Sequence, residues 1–258
     1  MKLYEKLNLG PMPANIDFYL RNLKSSLDYS PVRDYDKASC KNDLAFARQL
    51  LAVIYVLRSE PKEALEHGDL SLKEAEDFLI GDWKSVVRVN NGKDDPDPDW
   101  WRKHMVWMDV YSGCLLWGSV LNRWDLLKRV SVFPDETGCV NSNATEQERD
   151  ALVAIAAVLR GDSKEDCLRH FKRASEGSKK ICKLLVATLE SILNGDEAGF
   201  NKNFNDYMQQ YKKAEFPKNA MTKKVSEIGT FLVHFARHRG LKVEVPTEFA
   251  PHIIDFKP

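Results

Sequence analysis

The stretch ALVAIAAVLRGD (residues 151–162) has a counterpart in LLVATLESILNGD (residues 184–196). With the Gly-Asp pairs superposed, Leu152, Ile155 and Val158 fall on Val186, Leu189 and Ile192, each pair 34 positions apart. Apolar residues spaced by three and four line one face of a helix. The glycine then turns the chain through a left-handed conformation, and the aspartate behind it can cap the next helix. Each block therefore predicts a helix, a Gly-Asp corner and a second helix. Leu79-Ile80-Gly81-Asp82 is a candidate third corner. Units of this period predict an all-α fold of stacked antiparallel helical hairpins, a tetratricopeptide-like array. The fuller consensus of those repeats is missing, so the expectation concerns geometry and not membership.

Outward from these blocks the periodicity stays helical. Asp43 opens a segment with Leu44, Ala47, Leu50, Leu51, Ile54 and Leu57 on one face. Pro61 suits the first turn of a helix through Leu79, which Gly68 is expected to interrupt. Further helices are predicted over Trp100–Val120, Arg123–Val130, Ser163–Ala174, Lys179–Leu193, Glu197–Lys213 and Lys218–His238. Thr145 and Glu148 form a capping-box pattern ahead of Leu152. Gly240 stands where a helix C′ residue belongs. Only Leu241–Val245 alternates like a strand, a short extended segment near the C-terminus that should pair with little or nothing. The chain reads as a single helical domain over 1–258, with an N-terminal segment 1–40 and the hairpin array over 41–258.

Composition bounds the function. Of 258 residues, 43% are apolar and 29% charged, which suits a globular chain rather than a disordered one. Lys plus Arg and Asp plus Glu are 38 each, so there is no cationic excess to displace counterions from nucleic acid. The N-terminal stretch carries no apolar run of signal-peptide length, and no run approaches the ~20 residues of a membrane span. The expected location is cytoplasmic, with no membrane partner. Cys40, Cys114, Cys139, Cys167 and Cys182 are odd in number and lack CxxC spacing, and so read as reduced, buried thiols.

Motifs with chemistry are few. His234 and His238, four apart on a helix, could face one metal, with Glu248 or His252 as a third ligand. Phe235 stands where a zincin would carry its glutamate, and the plainer reading is two histidines at a helix end. Asp95, Asp97 and Asp99 imitate the start of a calcium loop, but Trp100 and Val106 occupy the later glycine and glutamate positions. No nucleophile elbow, phosphate-binding glycine loop or dinucleotide fingerprint occurs, so neither catalytic residues nor a cofactor or metal is expected. The six tryptophans fall between Trp83 and Trp124 and read first as core packing. The sharper reading takes Asp94, Asp95, Asp97 and Asp99, held by Pro96 and Pro98, with Trp100 or Trp101 as an apolar anchor. Those residues would form a contact surface for a basic protein partner.

The C-terminal region carries a family resemblance. Its most specific parts are the Gly195-Asp196…Phe200 corner, the helix end His238-Arg239-Gly240-Leu241, and the closing Val243-x-Val245-x-x-x-Phe249-x-Pro251. Upstream, ARQLLAVIYVL followed by a tryptophan-rich helix also fits. Over about residues 40–256 the chain resembles the immunity protein 49 family of bacterial polymorphic-toxin systems. Members are helical and are encoded beside toxins delivered by contact-dependent or type VI secretion. The resemblance implies a non-enzymatic protein that binds and neutralises a cognate toxin by covering its active site or substrate channel. It supplies no catalytic residue, and the acidic segment at 90–99 has no counterpart in it. With a cytoplasmic location, the toxin would act on nucleic acid, nucleotides or translation. The alternative is a tetratricopeptide-like scaffold or chaperone that binds peptides in a groove. A metal-dependent enzyme on His234 and His238 ranks third.

Overall fold

Helix caps and glycine corners set the element boundaries of the all-α fold. The computed structural model describes residues 34–81, 88–90, 93–95, 107–134, 145–213 and 225–256. Among these, nine α-helices follow in order: α1 (Asp34–Arg58), α2 (Pro61–Ile80), α3 (Met108–Val120), α4 (Trp124–Val130), α5 (Glu146–Arg160), α6 (Lys164–Glu176), α7 (Lys180–Leu193), α8 (Glu197–Lys213) and α9 (Glu227–His238). A two-stranded hairpin, β1 (Arg88–Asn90) and β2 (Lys93–Asp95), lies between α2 and α3 in sequence. The first helix begins at Asp34, inside the segment expected to precede the array, and the last begins at Glu227 rather than near Lys218. Its start is set by Ser226, whose hydroxyl accepts from Gly229 N–H.

The two quoted blocks form the expected hairpins. Thr145 caps α5 through a complete capping box with Glu148. Gly161 and Gly195 close α5 and α7 at φ 78° and 66°, both left-handed. The corners differ in their caps. Asp196 accepts from Gly199 N–H, whereas Asp162 pairs with Arg160 and Ser163 caps α6 instead. Hairpins α5/α6 and α7/α8 pack on one another through α7. The buried Gln147 side chain stitches them, donating to Ala174 O and accepting from Lys179 N–H, each at 2.8 Å. The proposed third corner is not one: Gly81 is extended at φ −62°, ψ 159°.

The preceding helices pack by close approach. α3 is buried nearly all round and touches α1, α2, α4, α5 and α9. Gly68 does not interrupt α2. It lies within the helix, buried, because a Cβ there would stand 2.4 Å from Cε3 of the Trp117 indole. Gln49 of α1 covers Gly113 and donates to Glu227 at the start of α9 at 2.6 Å. Through α9 on α3, the C-terminal end of the chain packs against its middle, a contact that nearest-neighbour stacking alone would not make.

Residues 241–245 are not assigned as a strand. Their backbone is satisfied by side chains of α8: Lys242 N–H donates to Glu197 at 3.0 Å and Glu244 N–H to Asn201 at 3.1 Å. Glu197 and Asn201 are four apart on α8, one turn, which matches the two-residue repeat of an extended chain. No neighbouring strand is then needed.

Candidate functional site

The sequence places its contact surface at the acidic segment. In the structure Asp94 and Asp95 belong to β2, with Val89 and Arg88 of β1 as their respective cross-strand partners. The acidic segment thus begins in an antiparallel strand pair. Asp97, Asp99, Trp100 and Trp101 lie outside the described residues, as does Trp83. The other tryptophans are structural. Trp107 and Trp117 are buried, Trp107 edge-on to Tyr111 and Phe133. Trp124 is half-buried and stacks on His238 with ring centres 4.3 Å apart.

That stacking also separates the two histidines considered for a metal. His238 faces Trp124, while His234 Nε2–H donates to the Ile254 carbonyl at 2.9 Å. Burial pushes the His234 pKa below its usual value, against the opposing pull of that carbonyl and of Asp255. Its protonated Nε2 is engaged with the chain's own tail, so the ring serves as a half-buried strut. Among the described residues no group of three or more His, Cys, Asp or Glu side chains could hold a metal ion. Cys114, Cys167 and Cys182 are free, buried thiols. Burial raises all three, Cys182 to about 12, away from the reactive thiolate.

The three pieces of the family resemblance meet in space. The tail after Gly240 (φ 85°) runs along α8, held by Glu197 and Asn201. Gln209 donates to Glu248 at 3.1 Å, and Lys212 sits 5.3 Å over the ring of the buried Phe249. The chain then returns to α9: Ser226 N–H donates to His252 O, Ile254 N–H to the Thr230 hydroxyl, and Arg237 makes two bonds to Asp255. The described residues 195–213 and 225–256 therefore form one interlocked unit of α8, α9 and tail.

Two clefts flank α6, and neither was anticipated from sequence. One, of about 540 Å³, lies between the hairpins and includes Val158, Phe171, Leu193 and the exposed Leu168, with Lys164, Glu190 and Arg239 among its charged groups. The other, of about 520 Å³, is lined by Val132, Pro134, Val153, Arg160, Arg169, His170 and Arg173. Arg169 and Arg173 share a face of α6 four residues apart, a spacing common on any solvated helix. Only the fold adds Arg160 from the end of α5. No family model, curated protein or solved structure matches the chain. No helix among the described residues is long and apolar enough to cross a membrane.

Proposed function

We propose that this is a cytoplasmic immunity protein of a bacterial polymorphic-toxin system, a non-enzymatic module that binds one folded toxin and covers its active site or substrate channel. The observation that carries this reading is the interlocked unit of α8, α9 and the tail after Gly240. The motifs that resemble the immunity protein 49 family sit at its turns and buried contacts, with Gly195 and Gly240 left-handed and Phe200, Leu241 and Phe249 buried. The toxin contact is the acidic segment. Asp94 and Asp95 begin it in β2; Asp97 and Asp99 follow, with Trp100 and Trp101 as apolar anchors. Its carboxylates complement the basic cleft that a toxin acting on nucleic acid needs. Protection at cellular concentrations calls for nanomolar affinity, about −12 kcal/mol, across a standard interface of about 1,600 Å².

The experiment is co-expression with the toxin domain that the proposal expects to be encoded beside this gene. The proposal expects growth to be restored and the two proteins to co-purify as one tight complex. Persistent toxicity without a complex would refute it. Weak binding of several short peptides instead would favour the peptide-binding scaffold, for which the stacked hairpins α5/α6 and α7/α8 and the cleft between them are the supporting feature.

A further inference from the structure

The cleft between the hairpins brings together Lys164, Glu190 and Arg239 from three different helix ends. Lys164 opens α6 directly after the Ser163 cap, Glu190 lies in the last turn of α7, and Arg239 follows α9. The main chain at Arg239 is fixed, its N–H donating to Phe235 O at 3.0 Å. Among the described residues the side chains of Lys164, Glu190 and Arg239 make no ion pair, although Glu190 shares the cleft with both cations. Asp162, the remaining charged group of the lining, is already paired with Arg160. Much of the rest is apolar: Val158 and Phe171 are buried, Leu193 is half-buried, and Leu168 is 46% exposed. A volume of about 540 Å³ falls in the range of small-molecule sites.

We propose that this cleft binds a free α-amino acid with a large apolar side chain. Its carboxylate would face Lys164 and Arg239, its ammonium Glu190, and its side chain Val158, Leu168, Phe171 and Leu193. Opposite charges that line one cleft without neutralising each other suit a ligand that carries both signs. A simple anion would meet the Glu190 carboxylate as well as the two cations, and a simple cation would meet the reverse. Asp162 offers no second partner for an ammonium, because Arg160 already holds it. The apolar lining favours a large hydrocarbon side chain, since a hydroxyl or amide packed there would lose water without gaining a hydrogen bond.

Titration calorimetry on the whole chain with L-phenylalanine and L-tryptophan tests this. The controls are 3-phenylpropanoate, which lacks the ammonium, and phenethylamine, which lacks the carboxylate. Two variants are informative: Glu190→Gln, and Lys164→Gln combined with Arg239→Gln; circular dichroism checks that each stays folded. The proposal expects saturable binding of at least one of the two amino acids and about tenfold weaker binding of both controls. Each variant should weaken binding of that amino acid about tenfold. No binding of either amino acid up to about 10 mM would overturn it. So would a control that binds as tightly as the amino acid, or an amino-acid affinity unchanged in either variant. Toxin protection is read separately, so failure here leaves the immunity reading standing.

Discussion

The hairpins α5/α6 and α7/α8 and the cluster α1–α4 are both helical, but they are held together in different ways. In the hairpins the boundaries are local: a capping box at Thr145, a serine cap at Ser163, an aspartate cap at Asp196 and left-handed glycines at 161 and 195. In the cluster the decisive contacts join residues far apart in sequence. Trp117 lies on Gly68, Gln49 on Gly113, and Lys41 of α1 reaches Glu74 and Asp77 of α2. Glycine shows the contrast most directly. At 161 and 195 a Cβ would meet nothing within 4 Å, so glycine serves the backbone angle; at 68 the helix is regular and glycine makes room for an indole.

The largest effect is expected at the close approach. Gly68→Ala forces the rigid Trp117 ring to move and should cost about 2–3 kcal/mol in denaturant unfolding. Trp117→Leu in the same background should recover part of that loss, giving a double-mutant coupling on the order of 1 kcal/mol or more. Strict additivity would break the contrast. At the corners, Gly161→Val and Gly195→Val should each cost about 1–2 kcal/mol through backbone strain alone. Asparagine, which tolerates the left-handed region, should cost clearly less at both corners. A similar loss for asparagine and valine would mean that packing matters there too.

Caps come next. Thr145→Ala removes the acceptor for Glu148 N–H and should cost about 1 kcal/mol, seen as a lower Tm with function intact. The smallest effect concerns pH. His234 has a folded pKa below its usual 6.5, so the unfolded chain binds the extra proton first as pH falls. Its contribution is fully present above about pH 6.5 and is lost progressively below it. Unfolding curves from pH 8 to 5 should show that decline in the wild type and a shallower one in His234→Gln.

Legibility follows the same division. Helices α5 to α8 and their corners could be read because propensity, apolar spacing and caps act within a few residues. Gly68 looks from its own stretch of sequence like a candidate helix interruption, because its reason for being glycine is Trp117, far along the chain. The Gly81 corner failed because Gly-Asp after a helix permits a left-handed turn without requiring one. Leu241–Val245 has a strand's alternation, yet α8 side chains take its N–H groups. For the contact surface, the sequence signalled an acidic run beside tryptophans, of which Asp94 and Asp95 fall in a described element. The arginine cleft left no such signal, because Arg160, Arg169 and Arg173 come together only when α5 packs on α6.

The most direct test of the immunity reading is the affinity for the neighbouring toxin, measured over a salt series. It compares the wild type with the variant in which Asp94, Asp95, Asp97 and Asp99 are all replaced by asparagine. Wild-type binding should be nanomolar and weaken as salt rises, because surface charges are screened over about 10 Å at 0.1 M salt. The variant should keep nearly the same Tm, associate more slowly, bind less tightly and lose most of the salt dependence. No toxin binding by the wild type would contradict the function, and equal affinity and salt dependence in both proteins would contradict the assignment of the contact to the acidic segment.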